Sequence, residues 1–173
     1  MEAIAHWIAA TWPSVLIQTN EVWFIPAVQS IHIAGIGVVL ACVLMMTLRV
    51  LGYAGTDQSV LQTQQRFGPW LTGALWLLFG TGLLMIIGEP ERELVTFSFW
   101  AKMALVATGT GIALVFQRSV RASGPDWEDT VGAHTPVKVA AVATLAMWLA
   151  VVFLGRLIAY DHVWGALSPS TRQ

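Results

Sequence analysis

The sequence predicts an all-α integral membrane protein, with four spanning helices in a bundle and an amphipathic helix at the membrane interface before them. Three observations lead there. At 173 residues the chain is 56 % hydrophobic and only 11 % charged, and its mean hydropathy is +0.67. That leaves too little polar surface to cover a water-soluble globule of this size. The apolar residues fall into four runs of roughly 20 residues or more, enough to cross a hydrocarbon layer about 30 Å thick. None of the runs alternates with the period of a barrel strand, so backbone satisfaction in lipid requires helices.

Residues 3–12 place Ile4, Trp7, Ile8 and Trp12 near helical spacing over a stretch too short to span. An interfacial helix closed by Pro13 is expected. This start lacks the basic region of a signal peptide and is expected to be retained. The first span covers about 23–51, with Pro26 in its opening turn, where a missing amide proton costs little. Residues 52–68, rich in glutamine, read as a connector. The second span covers about 69–88 and ends at Gly88-Glu89-Pro90-Glu91-Arg92-Glu93, a charged turn. The third covers about 97–116. After the polar stretch from Gln117 to Pro136, the fourth covers about 137–160 and leads into a short polar tail.

Basic residues set the expected orientation. Arg49 and Arg66 flank the first connector, and Arg118, Arg121 and Lys138 flank the third. These belong in the cytoplasm, so both termini face outward, which in a bacterial inner membrane means the periplasm. Trp7, Trp12, Trp23, Trp100 and Trp164 then mark the outer interface, and Trp70 and Trp127 the inner one.

Several function classes are set aside. The formal net charge of -1, with charges in short clusters, gives nucleic acid no basic face to bind. The one cysteine, Cys42, allows no internal disulfide and no zinc pattern. No phosphate-binding glycine loop, nucleophile elbow or paired-carboxylate pattern occurs. Four spans without an internal repeat are too few for a transporter built from inverted repeats.

The residue that asks for an explanation is His32, about a third of the way into the first span, with Gln29 one turn earlier on the same face. An ionisable ring is expensive in a membrane and is a functional hypothesis by default; the blander use is a structural hydrogen bond. By helix rise, His32 lies roughly 13 Å below Trp23, and Arg156 roughly 12 Å below Trp164 on the fourth helix, so the two share a depth. Gly35, Gly37, Gly80, Gly82 and the run Thr108-Gly109-Thr110-Gly111 fall near that level. Small residues there let helices approach closely, the commoner use, or leave room for a flat cofactor.

A b-type haem held by His32 fits this layer, with Arg156 as the cation for a propionate and Tyr160 one turn outward. The second axial ligand is the difficulty. His134 falls on the other side of the membrane; His162, just beyond the fourth span, or His6, on the interfacial helix, reaches the haem only by dipping inward, and a five-coordinate haem or one shared with a neighbouring subunit stays open. Copper is the alternative metal, on His32 and His162, or on His6 and Glu2 together with His162 at the outer face. Lys102 reads as a side chain snorkelling to the outer interface, and Glu89, Glu91 and Glu93 as a solvated turn.

Three stretches carry a family resemblance: Pro26 to Gly35, Phe99-Trp100-Ala101-Lys102-Met103-Ala104-Leu105, and Gly155-Arg156-Leu157-Ile158-Ala159-Tyr160. In order and spacing they resemble an uncharacterised family of small bacterial four-span membrane proteins, the DUF6644 type. The resemblance implies the fold and no established activity. Family members often have a histidine just after the third span, where this chain has Gln117. A looser likeness in the first helix is to cytochrome b561-like and copper-resistance membrane bundles.

The functional expectation is a membrane electron-transfer subunit, binding haem b through His32, between a periplasmic redox partner and the quinone pool. The competing class is a non-redox membrane anchor or assembly subunit, or a copper-handling permease. The Ala107-xxx-Gly111 and Ala146-xxx-Ala150 spacings suit helix association, hence a homo-oligomer or a partner within a membrane complex.

Overall fold

The computed structural model describes residues 2–127 and 134–158. They form seven α-helices and one 3-10 turn, with no strand among the described residues. Two short helices, α1 (Glu2–Ala9) and α2 (Trp12–Thr19), precede α3 (Glu21–Leu51) and α4 (Val60–Gly88). The short α5 (Pro90–Leu94) follows, then α6 (Phe97–Ser123), the 3-10 turn Gly124–Asp126, and α7 (Thr135–Ile158). Four of these, Glu21–Leu51, Val60–Gly88, Phe97–Ser123 and Thr135–Leu157, are long and apolar enough to cross a membrane. The protein is an all-α bundle of four candidate membrane helices, as the composition predicts. His162 and Tyr160 lie outside the described residues, as does Trp164.

Short connections make the four long helices antiparallel in sequence order. α3 packs most extensively on α4, α6 on α7, and α3 also on α7, with a lighter α4–α6 contact closing the ring. The core at mid-bundle joins Val39, Cys42 and Val43 of α3, Leu71 and Ala74 of α4, Ala113 of α6, and Trp148 and Val151 of α7. Many other large apolar side chains on the long helices, such as Trp76, Phe79, Val115 and Phe153, point outward. In water such a surface would be untenable, whereas lipid accepts it.

The helices run past the apolar segments from which they are recognised. α3 begins at Glu21, which puts Pro26 in its second turn. The carbonyl that Pro26 leaves without an amide partner is that of Val22, a residue largely exposed at the bundle end. α4 begins at Val60, well before Pro69, because Ser59 and Gln62 form a capping box. The Gln62 amide donates to Ser59 Oγ at 3.1 Å and the Ser59 amide to Gln62 Oε1 at 2.8 Å. Much of the glutamine-rich stretch thus belongs to the second spanning helix. α3 ends at Gly52, whose φ of 80° is the left-handed conformation that glycine adopts without penalty. The connector is then tied back by Arg49 Nε donating to the Gln58 carbonyl at 2.5 Å.

The N-terminal segment is two helices, and Pro13 opens the second of them instead of closing the first. α1 lies against α5, and α2 against the end of α4. Ser14 is fully buried and donates to the Ile87 carbonyl at 2.6 Å, while Gln18 donates to Ser14 Oγ at 2.8 Å. Gly88 lets this seam close, since a Cβ there would come within 2.6 Å of Ile25 Cδ1 and 2.9 Å of Ile17 Cγ2. Ile4, Trp7, Trp12 and Leu16 remain exposed along the outside of α1 and α2, an apolar stripe of the kind that rests in a membrane interface.

Candidate functional site

His32 projects from α3 toward α4. Its Nδ1 is 2.7 Å from Thr81 Oγ1, and the Thr81 hydroxyl donates to the Leu77 carbonyl one turn earlier, also at 2.7 Å. A hydroxyl has one proton, and in a helix the carbonyl four residues back is its usual recipient. Thr81 therefore accepts from the ring, and Nδ1 carries the N–H. The consequence is chemical: the lone pair of the neutral imidazole resides on Nε2. An imidazole oriented through one nitrogen by an outer partner is how a protein presents the other nitrogen to a metal or a proton. Gly82 keeps this side of α4 low, and a Cβ built there would approach His32 Cε1 to 3.8 Å.

The cation near His32 is Lys102, not a side chain stretched out to the interface. It is half-buried on α6, and its Nζ lies 4.0 Å from the position a Cβ would take on Gly155 of α7. Its charge reaches both the His32 ring and the Glu93 carboxylate. Glu93, in the turn that reads as solvated, is only 5 % exposed. Burial pushes its carboxyl above the usual carboxylate range, and the positive charges of Lys102 and Arg92 oppose that shift. Glu93, Lys102, His32 and Thr81 thus form one polar group at the end of the bundle where α5 sits. Composition and spacing single out only His32 of these four. The signal for Thr81 and Lys102 is relational, a matter of which helix faces which.

The remaining candidates are spread more widely. Gln29 is half-buried one turn before His32, and Arg156 is exposed near the end of α7. His6 is exposed and its Nδ1 pairs with Glu91 Oε1 at 2.9 Å, so α1 is attached to α5 at the surface. No group of three or more His, Cys, Asp or Glu side chains that could hold a metal ion occurs among the described residues.

The small residues divide by use. Gly35 faces Leu77 and Leu78, and Gly109 faces Met147 and Trp148, with Cβ positions 3.0 Å from Leu78 Cδ2 and 2.7 Å from Met147 Cε. Both glycines are there for close packing. Thr108 and Gly111 instead border a cavity of about 580 Å³, which lies between α3, α6 and α7 in the half of the bundle that ends at Arg49, Arg118 and Arg121. His32 is not among the residues that line it.

Comparison with known proteins adds one relationship. Residues 5–161 match a family described as "Family of unknown function (DUF6644)". No curated protein matches the chain, and no solved structure does.

Proposed function

The chain belongs to the DUF6644 family, a family of unknown function, and from that starting point we propose that it is a membrane electron-transfer subunit. In this reading it binds a b-type haem through His32 and works between a periplasmic redox protein and the quinone of the bilayer. The orientation that accompanies it, inner membrane with both termini periplasmic, rests on the basic residues Arg49, Arg66, Arg118, Arg121 and Lys138 at one end of the bundle.

The observation that carries the reading is the 2.7 Å contact between His32 Nδ1 and Thr81 Oγ1: with the Thr81 proton given to the Leu77 carbonyl, the tautomer that fits has its lone pair on Nε2, inside the membrane. Imidazole in this state is the axial ligand that b-type haem uses, and the iron, once bound, supplies reversible one-electron chemistry. Lys102, directed inward, offers a positive charge to a propionate close to His32; Arg156 offers a second, more exposed one. His162 would supply a second ligand to the haem. Copper, on His32 and His162, is the alternative metal in this reading.

A second reading, a non-redox anchor or assembly subunit, is favoured by one observation: Ala107 and Gly111 are exposed on the same face of α6, which is the close-approach surface that a homo-oligomer or a membrane-complex partner needs. In that case the bond to Thr81 is purely structural.

The deciding experiment is the dithionite-reduced minus oxidised visible spectrum of detergent-purified protein expressed with ample haem, with His32→Ala beside it. A sharp b-type α-band that vanishes in the variant supports the proposal. No band in the wild-type protein overturns it and leaves the anchor reading.

A further inference from the structure

The cavity in the half of the bundle away from His32 has a chemistry of its own. Its walls are apolar, with Val43 and Met46 on α3, Ile112 and Phe116 on α6 and Ala140 on α7, and no charged side chain lines it among the described residues. It opens sideways toward the bilayer, where Ile112 and Val115 are 41 % and 66 % exposed. Most of the polar groups along it are already committed. Thr47 donates to the Ala141 carbonyl, Thr108 to Ala104 and Thr144 to Ala140, and the Trp127 indole donates to Ser119.

Gln117 is the exception. It lines the cavity on α6, is 7 % exposed, and stands beside Gln64 of α4, which is fully buried. Neither the Oε1 nor the Nε2 of Gln64 has a hydrogen-bond partner among the described residues. Gly68 makes room for the pair: Gln64 Nε2 and Gln117 Cδ lie 2.5 Å and 3.9 Å from the point where its Cβ would be. A buried primary amide with unmet donors and acceptor is costly, and in a native fold it points to a partner that is missing. By helix rise, the cleft runs about 13 Å along α6 from Gln117 to Thr108, toward the middle of the bundle.

We propose that this cleft binds an isoprenoid quinone, with its ring held by the amide of Gln117, which lines the wall, and with Gln64 buried behind that amide and positioning it, the tail leaving through the lateral opening. The amide suits both redox forms, since its N–H donates to a quinone carbonyl and its oxygen accepts from a quinol hydroxyl. A phospholipid head is the poorer occupant because its phosphate would find no cation on the wall. The choice of a quinone among neutral amphiphiles rests on the electron-transfer reading above; the site itself does not involve His32.

The test is native mass spectrometry of the full-length detergent-solubilised protein titrated with decylubiquinone, which separates a quinone adduct, a phospholipid adduct and a dimer by mass. The expected result is one quinone per chain, weakened about tenfold in Gln117→Leu and Gln64→Leu, the effect of losing an anchoring hydrogen bond in a dry site. Gly68→Ala, whose Cβ displaces the Gln64 amide without removing any polar group, is expected to weaken it too. Equal binding by wild type and Gln117→Leu overturns the proposal. So does a phospholipid adduct that decylubiquinone fails to displace, or a dimer that takes up no quinone. The visible spectrum of the same sample keeps the two readings apart. A Gln117-dependent adduct without a haem band removes the haem and leaves the cleft, whereas a haem band without that adduct does the reverse.

Discussion

Replacing Thr81 with valine keeps the shape of the side chain and removes one atom from the chemistry of His32. In Thr81→Val the α4 backbone is undisturbed, because the Leu77 carbonyl retains its helical amide partner. What is lost is the acceptor for His32 Nδ1–H, a bond of 2.7 Å that joins α3 to α4. Side-chain hydrogen bonds between membrane helices average ~0.6 kcal/mol and reach ~1.7 kcal/mol at most. The short distance and partial burial place this bond toward the upper half, so about 1 kcal/mol, or roughly a fivefold change in the unfolding constant, is expected. Losing the orienting partner also frees the ring to protonate at Nε2, which is expected to lower the affinity of any ligand bound there about 10- to 100-fold. The assays are SDS-titrated unfolding followed by far-UV circular dichroism, run as a double-mutant cycle with His32→Ala, and haem retention from the difference spectrum. Additive effects in the cycle, with Thr81→Val within ~0.3 kcal/mol of wild type, would show that the bond contributes nothing. Thr81 would then not fix the His32 tautomer, and the ring would not be oriented to present Nε2 to a ligand.

Two further outcomes are expected. In Gly109→Ala the new Cβ meets Met147 Cε at 2.7 Å and the Trp148 indole at 3.2 Å; the methionine can swing aside but the buried ring cannot, so a loss of about 1–3 kcal/mol is expected in the same unfolding titration. In Glu93→Gln the pH dependence is expected to change. The buried Glu93 carboxyl holds its proton to a higher pH in the folded state than in the unfolded one. It therefore favours folding below the ordinary glutamate value of ~4.3, and this contribution is lost as the pH rises through the raised value. The glutamine variant is expected to show a flatter stability profile across that window. An unchanged slope would mean that the carboxyl is solvated in the folded protein.

What the sequence discloses and what it conceals follow from how each is encoded. Four apolar runs mark the membrane helices because hydropathy is a local property. The true starts of α3 and α4 are less visible, since Glu21 is charged and the run from Val60 to Gly68 is rich in glutamine, its helicity secured by the Ser59 cap and by the helix that continues it. His32 stands out because an ionisable ring in an apolar run is anomalous by itself. Its partner does not, because a threonine in a spanning helix is ordinary and its role depends on α4 presenting residue 81 to α3. Lys102 and Glu93 are hidden for a similar reason. Each sits where snorkelling or solvation is the usual fate, and only the placement of α5 and α7 turns them inward. Gln64 is the extreme case. In sequence it is one of four glutamines in a polar connector; in the structure it is a buried amide against Gly68.

The two ends of the bundle differ in chemistry, and the difference bears on what the protein does. Toward α5 the polar groups include ionisable ones: Glu93, which is buried, and Lys102 and the His32 ring, which are half-buried. Toward the arginine-rich connectors they are neutral amides beside an apolar cleft, Gln64 and Gln117. A helix bundle that served only to anchor a partner would need close-approach faces and a lipid-compatible exterior, and neither of these calls for an unpartnered amide or an oriented imidazole. Polar groups of this kind lower stability unless they meet a ligand, another subunit or a proton. Between His32 and Val43, the first residue of the α3 wall of the cleft, the helix rises about 16 Å through the tightly packed core around Val39 and Trp148. The two sites are therefore separate compartments joined by a rigid middle. An arrangement with ionisable groups at one face and a lateral, neutral, apolar-walled site at the other suits a protein that exchanges electrons on one side and a bilayer-soluble molecule on the other.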